Sequence, residues 1–338
     1  MSVSIHDVAR LSGVSTATVS RALRGLPKVS EKTRQKVVQA ADSLGYVISS
    51  TASGLSTGRT NAVGVVVPSI NKWFFSSVLE GADQVLRAAG YDLVVYNLGG
   101  SDENRERVFS RAMLRERIDA VMILCRALLA SEQKVIAELN YPSVVVGGRL
   151  DGCVSVSIDD AQACRKAVDY LASLGHRRIA FIGGDVEDET SFSVASARNS
   201  GFAAAMAAAG LAVDPALTAR TSFTIAGGSR AMERILSAGV PRPTAVFAAC
   251  DEMAFGAITA ARRNGLRVPE DLSVVGLDNH EAAEALGLTT VSQDPAGQGA
   301  TAARILLSAL DGSAPDAGWI VAPNELIVRS SASPVRTD

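Results

Sequence analysis

Histidine, cysteine and aromatic residues are scarce in this chain, and each shortage removes a class of function. Three histidines and four widely spaced cysteines (Cys125, Cys153, Cys164, Cys250) offer no CxxC pair and no cysteine beside a histidine pair. That pattern argues against a metal centre or a disulfide framework and favours buried free thiols in a reducing compartment. No run of about 18 apolar residues occurs, so no membrane-spanning helix is expected. No basic, apolar, small-residue leader opens the sequence, which points to the cytoplasm. No GxGxxG follows a strand-like run and no GxxxxGK[ST] is present, so a nucleotide-binding enzyme of the Rossmann kind has little support. Asp159, Asp160 and Asp251 could serve as acid–base carboxylates, but no nucleophile–base pair, metal set or phosphate cradle accompanies them. The expectation is a protein that is not an enzyme and carries no cofactor.

What is present is length, a sufficient apolar fraction and an uneven charge. The 338 residues suffice for two or three domains, and 47% apolar content supports sizeable cores. A net charge of −2 conceals a basic head: residues 1–60 carry eight Lys/Arg against three Asp/Glu, whereas the remainder carries 25 against 32. A basic segment on an acidic body suits a phosphate backbone as the partner of the head.

Within that head, Val3–Tyr46 reads as three short helices. Ser4 caps the first, with Asp7 in the capping-box position, Val8 and Leu11 facing inward and Gly13 ending it. Ser15 caps a second helix whose Val19, Ala22 and Leu23 fall at i, i+3, i+4. Its outer face carries Thr16, Ala17, Ser20, Arg21 and Arg24. Small residues at a helix start followed by arginine suit a helix lying in a DNA major groove, with Arg21 able to fork onto guanine. Ser30 caps a third helix, with Val37, Val38, Ala41 and Leu44 inward and Gly45 at its end. The pattern alone fits a ligand-free three-helix bundle equally well.

The particular residues add more. Ile5-His6-Asp7-Val8-Ala9-Arg10, Val14-Ser15-Thr16-Ala17-Thr18-Val19-Ser20-Arg21, Val29-Ser30-Glu31-Lys32-Thr33-Arg34 and Leu44-Gly45-Tyr46 together resemble the headpiece of the lactose-repressor/galactose-repressor (LacI/GalR) family. The resemblance runs over nearly the whole chain. It implies a helix-turn-helix DNA-binding domain at 1–47, with Thr16, Ala17 and Arg21 toward bases and Ser15 and Thr18 toward phosphates. It also implies a hinge helix at 48–60 that orders when two subunits meet on DNA. Leu55 matches the leucine wedged into the minor groove, a step costing roughly a few kcal/mol of unstacking that is offset by added contact. The hinge departs from the family pattern at Ile48, Ser53, Gly54 and Ser56, and Gly54 costs about 1 kcal/mol in a helix interior.

From Ala62 the pattern becomes short β-rich runs alternating with amphipathic helices. Val63–Val67, Tyr91–Tyr96, Ala120–Leu124 and Ser143–Val146 read as strands of a first series. Arg178–Ile182, Ala245–Ala248 and Ser273–Gly276 belong to a second, with Leu326–Val328 as a closing strand. The intervening helices are placed at Phe75–Ala89, Asn104–Arg117, Ser131–Leu139, Ala161–Leu174, Ala197–Ala209, Gly227–Ala238, Glu252–Asn264 and Gly297–Leu310. Such alternation means parallel sheets covered by helices on both faces, here in two lobes around a cleft. Gly175–Gly184, Pro243–Ala248 and Gly265–Gly276 are similar to the family's periplasmic-binding-protein type of core. By that resemblance the core spans 61–338, with a near lobe at about 61–161 and 292–321 and a far lobe at about 162–291 and 322–338. His176 falls on a turn within this signature and is expected to be structural.

Ligands of open α/β sheets sit at the carboxyl ends of strands. Asn71, Trp73, Phe74 and Phe75 follow the first strand, Arg149 the fourth, and Asp251 and Asp278 follow strands of the second series. Arginine and aspartate together suit vicinal hydroxyls or a heteroatom-rich ring, and aromatic faces suit a sugar's apolar face or a flat base. The resemblance assigns Arg198 and Asp278 to the effector, Phe223 to stacking, and Phe74 and Phe75 to the pocket wall. Arg198 and Asp278 could also be a structural ion pair, and Phe74 and Phe75 plain core. Cys250 stands where sugar-responsive relatives often carry asparagine. Between Glu187 and Ser196, Phe192 and its neighbours lack the polar set of the purine-responsive pattern.

These readings converge on a homodimeric transcriptional regulator, a repressor, bound to a pseudo-palindromic operator. A small effector, a sugar or sugar derivative, would control its affinity. The competing reading is a small-molecule sensor of the same core fold with weakened DNA binding.

Overall fold

The computed structural model describes residues 3–23, 25–46, 59–99, 102–109, 117–124, 129–150, 152–185, 192–313 and 315–336. It divides into two compact units, Met1–Asn61 and Ala62–Asp338. The hinge expectations at Ile48, Ser53, Gly54, Leu55 and Ser56 lie outside the described residues, as do Arg24 and Cys125.

The first unit holds α1 (Ile5–Ser12), α2 (Thr16–Leu23) and α3 (Glu31–Leu44). Each start is built by local polar chemistry. The backbone N–H of Ser4 donates to Asp7 Oδ2 at 3.0 Å, Ser15 Oγ accepts from Thr18 N at 3.2 Å, and Ser30 Oγ accepts from Thr33 N at 3.3 Å. The Ser4 hydroxyl and N–H and the Arg10 charge hold the Asp7 carboxyl below its ordinary value. Val8, Val19, Ala22, Val37, Ala40 and Ala41 form the core. Arg34 locks α3 onto the end of α2, donating to Ala22 O at 2.7 Å and Leu26 O at 3.0 Å. Two inward assignments are corrected: Leu11 is 55% and Val38 40% exposed. The small Ala9 and Ala40 take the buried positions instead, and so short a bundle has no room for two more large side chains.

The second unit is built on two six-stranded sheets. The near sheet comprises β1 (Ala62–Val67), β2 (Asp92–Asn97), β3 (Ala120–Leu124), β4 (Ser143–Val146), β5 (Val154–Ser157) and β11 (Gly318–Val321). Its order is β11-β5-β4-β3-β1-β2, all parallel. The far sheet comprises β6 (Ile179–Gly184), β7 (Thr218–Thr221), β8 (Ala245–Ala248), β9 (Ser273–Asp278), β10 (Thr289–Ser292) and β12 (Glu325–Ile327). Its order is β12-β10-β9-β8-β6-β7, parallel except that β12 runs antiparallel to β10. The central strands β1, β3 and β8 are apolar and buried along their length, as parallel strands covered on both faces must be.

The helices that cover the sheets are α4 (Trp73–Ala88), α5 (Asp102–Val108), α6 (Ala130–Leu139), α7 (Asp160–Ser173), α8 (Phe192–Ala208), α9 (Ile225–Leu236), α10 (Asp251–Arg263) and α11 (Pro295–Leu310). The chain passes from one sheet to the other between Ser157 and Asp160, returns between Ser292 and Pro295, and crosses again between Val321 and Glu325. Four strands were not foreseen: Val154–Ser157, Thr218–Thr221, Thr289–Ser292 and Gly318–Val321. Three are rich in Ser and Thr, and buried hydroxyls such as Ser155, Thr289 and Thr290 break the apolar run that announces a buried strand. Of the helix expected over Asn104–Arg117, Asp102–Val108 is described and 110–116 lie outside the described residues.

Helices α4 and α11 approach so closely that only glycine fits at the crossing. A Cβ on Gly81 would meet the Ala296 carbonyl, and one on Gly299 the Val78 carbonyl. Gly81→Ala gains about 1 kcal/mol of helix propensity but forces backbone apart, a penalty of typically 1–3 kcal/mol or more. Urea denaturation of the variant is expected to show a net loss of stability; unchanged or raised stability would contradict so close a crossing.

Candidate functional site

The carboxyl ends of both sheets open onto one cavity of about 370 Å³. The near lobe contributes Pro68, Lys72, Trp73, Phe74, Phe75, Gly99, Gly147 and Ser157; the far lobe contributes Asp160, Arg198, Phe223, Cys250, Glu252, Asp278 and others. Its polar floor is a buried ion cluster. Arg198 Nε donates to Asp160 Oδ1 at 2.9 Å, Nη1 donates to Ala249 O at 2.6 Å, and Nη1 lies 3.6 Å from Asp278 Oδ1. Burial works against the guanidinium charge, but Asp160 and Asp278 more than offset it and hold Arg198 above its ordinary value. Asp278 is pushed up by burial, a tendency that Arg198 opposes and Asp251 reinforces. Gln293 Nε2 donates to Asp278 Oδ1, and Gln298 Nε2 donates to Gln293 O at 2.7 Å, so the floor continues into the second crossover and α11.

The walls are aromatic. Trp73, Phe74 and Phe75 open α4, with Phe74 and Phe75 edge to face at 5.7 Å. Phe223 follows β7, and a Cβ on Gly184 would run into its ring, so the bare glycine at the end of β6 is what gives Phe223 its seat. Trp73 lies 4.7 Å from the far-lobe His280 ring, and Lys72 Nζ donates to Phe223 O and stands 3.7 Å from Glu252 Oε2. These are direct contacts between the lobes at the cavity wall.

Of the eight residues expected at the cavity, Phe74, Phe75, Arg198, Phe223 and Asp278 line it. The other three do not line it. Asn71 is exposed and accepts from the hydroxyl of the lining residue Ser69 at 2.6 Å, without itself lining the cavity. Arg149 is drawn aside after the β4 turn, its Cζ 3.3 Å from the centroid of Trp319 on the edge strand β11. Asp251 is 0% exposed, accepting from Thr290 Oγ1 at 2.6 Å and His280 N at 2.8 Å; burial pushes it up, and it faces the interior of the far lobe. Lys72, Asp160, Glu252 and Gln293 were missed. The doublet Asp159-Asp160 was the one visible signal, and Gln293 follows a strand whose Thr-rich sequence hid it.

Cys250 also resolves. Its Sγ accepts from Met253 N at 3.4 Å, so the thiol is the N-cap of α10, and burial pushes it well above its ordinary value, leaving it protonated. His176 is 2% exposed and spans Thr244 Oγ1 at 2.9 Å and Ser273 Oγ and Ser333 O at 3.0 Å, a structural tie in the far lobe. In the first unit, Ser15 just before α2 is exposed, as are Ala17 and Arg21, one turn apart on it, with Thr16 and Thr18 half-buried.

A model of the bacterial regulatory proteins of the lacI family matches residues 4–49, and a periplasmic-binding-protein-like domain matches residues 168–332. The transcriptional repressor CytR of Escherichia coli K12 is 35% identical over 332 residues, covering 97% of this chain and 95% of CytR. The chain belongs to the lacI family of bacterial regulatory proteins. Among solved structures, a lac repressor dimer bound to operator and the anti-inducer ONPF superposes with a TM-score of 0.88 at 27% identity, covering 98% of this chain and all 100% of that one. A complex of the transcriptional regulator CelR with cellobiose superposes at 0.72 with 32% identity over 98% of this chain and 100% of that chain. As a lacI-family protein, the chain is a DNA-binding transcription regulator with a helix-turn-helix headpiece and a two-lobed periplasmic-binding-like core.

The raised carboxyl of Asp278 has a stability consequence. A folded state that holds its proton above the ordinary carboxylate value of about 4 binds more protons than the unfolded chain. Stability therefore falls as pH rises from about 4 toward the folded value. Asp278→Asn removes this group and is expected to flatten the decline by up to about 1.4 kcal/mol per pH unit. Urea melts of both proteins across that range read it directly; an undiminished slope in the variant would assign the proton elsewhere.

Proposed function

We propose that this regulator is a homodimeric repressor whose hold on a pseudo-palindromic operator is set by a small effector, a sugar or sugar derivative, in the inter-lobe cavity. The observation that carries the reading is the cavity itself, a donor-and-acceptor floor of Arg198, Asp160 and Asp278 facing aromatic walls at the carboxyl ends of two sheets. A guanidinium fork between carboxylates suits hydroxyls, and ring faces suit the apolar side of a sugar. The relatives support it, one in complex with cellobiose and another a dimer on operator DNA.

In this reading residues 1–47 are the DNA-binding domain, 48–60 the hinge and 61–338 the core. Thr16, Ala17 and Arg21 enter the major groove, Ser15 and Thr18 meet phosphates, and Leu55 enters the minor groove. Phe74, Phe75, Arg198, Phe223 and Asp278 hold the effector. Lobe closure around the effector shifts an equilibrium between two arrangements of the core, and by linkage an effector that weakens operator binding is itself weakened by operator. The protein acts where its DNA is, in the cytoplasm.

The test is fluorescence anisotropy of the purified protein with DNA from upstream of its own gene, with and without a sugar panel. Salt-dependent binding to one pseudo-palindrome, shifted by one compound, is the expected result. Affinity equal to that for random DNA, with no compound shifting it, would reject the proposal. On the operator so found, Arg21→Ala is expected to cost about 1–3 kcal/mol and relax preference at one base pair. An equal loss on operator and random DNA would make Arg21 a phosphate contact.

A further inference from the structure

The cavity's charge balance carries an inference that rests on its reading as an effector site. The described lining residues include two cations, Lys72 and Arg198, and three carboxylates, Asp160, Glu252 and Asp278. Both cations are already engaged. Arg198 is held by Asp160 at 2.9 Å, Asp278 at 3.6 Å and the Ala249 carbonyl at 2.6 Å. Lys72 crosses from the near lobe to the Phe223 carbonyl and to Glu252 at 3.7 Å. Arg149, a third cation expected at the site, is stacked on Trp319 outside the lining.

A phosphate or carboxylate entering here meets a lining with one negative charge in excess, or a balanced one once Asp278 is protonated. Binding it would mean pulling Lys72 from Glu252 or Arg198 from its carboxylates, leaving a partly buried anion unpaired, which is costly. The start of α4, without a side-chain cap, adds roughly half a positive charge, which does not supply the full compensating charge that a phosphate needs. A hydroxyl has no such conflict. It donates to Asp160 or Asp278 and accepts from Arg198 without changing the net charge. Trp73, Phe74 and Phe223 then cover whatever flat or apolar face the molecule has.

We propose that the effector is an uncharged, hydroxyl-bearing molecule with a flat or apolar face, and that Glu252, by holding Lys72, excludes its phosphorylated counterparts. Glu252 is thus a specificity residue that contributes charge at the cavity wall. With Glu252→Gln the Lys72 ammonium is released to meet an incoming anion. A single charge uncompensated at an effective dielectric near 20 is worth at least about tenfold in affinity.

The experiment is calorimetric titration of the full-length protein with glucose, ribose, o-nitrophenyl galactoside and adenosine, each paired with its phosphate monoester, in the unmodified chain and in Glu252→Gln. The expected result is that one uncharged parent binds and its phosphate ester binds at least tenfold more weakly, with the ester-to-parent affinity ratio rising about tenfold or more in Glu252→Gln. A phosphate ester that binds the unmodified chain as tightly as its parent, or more tightly, overturns the proposal while leaving the sugar-derivative reading standing. An unchanged ratio in the variant removes Glu252 from the role. If no member of any pair binds while operator binding is intact, the sugar-derivative reading falls, and the proposal with it. Should Glu252→Gln not fold, the paired titrations of the unmodified chain still decide the charge rule.

Discussion

A single buried guanidinium organises the core. Arg198 sits on α8 and is bound to Asp160, which opens α7 where the chain first enters the far lobe, and to Asp278, which closes β9. Asp278 is in turn held by Gln293 in the second crossover. The third crossover is tied to the same helix, because Lys166 on α7 donates to the carbonyl of Asn324 at 2.5 Å and to its side chain at 2.8 Å. One ion cluster and one helix therefore anchor the three strands of chain that join the lobes. A buried ion pair costs nearly as much to desolvate as it returns, so this cluster is poor ballast for stability. Its value lies in position: whatever exchanges hydrogen bonds with Arg198 or Asp278 also acts on the segments that join the lobes.

Much of this was legible in the sequence, for reasons that differ by element. The capping serines Ser4, Ser15 and Ser30 and the glycines Gly13 and Gly45 marked the headpiece helices, because caps act within three or four residues. The central strands were legible because burial on both faces makes them continuously apolar. Strands such as β5 and β10 were not, since their buried Ser and Thr are satisfied by partners far along the chain. Thr290, for instance, donates to Asp251, 39 residues away. The same distance effect explains the site. Phe223, Arg198 and Asp278 could be assigned through the resemblance, whereas Lys72 and Glu252 meet only because two lobes bring residues 180 positions apart together.

Two neighbouring residues at the end of β8 take places in the fold that the sequence did not suggest. Cys250 gives up a hydrogen-bonding amide at the cavity but still caps α10, a task that a sulfur acceptor performs at a longer distance. Asp251 resembles a ligand carboxylate by its place at a strand end. Its backbone turn instead aims it inward, between Thr290 and the His280 amide, where it fastens β8 to β9 and β10. The residue before a helix and the first residue within it thus serve opposite sides of the strand end, and sequence spacing alone does not say which is which.

The crossings have a consequence for how such a protein can be assembled and altered. The near sheet lacks β11, and its α4 lacks α11, until the chain has run through the whole far-sheet series. The far sheet in turn is finished by β12 and by Ser331 and Ser333, which bond to Val274, Ser273 and His176. Neither lobe is an unbroken stretch of gene, so during synthesis both must wait for the last fifth of the chain to leave the ribosome. The headpiece, with its own core and caps inside residues 3–46, needs nothing downstream to close that core. Recombination between relatives can therefore exchange DNA-reading heads as intact cassettes, while the two lobes of the core travel only together.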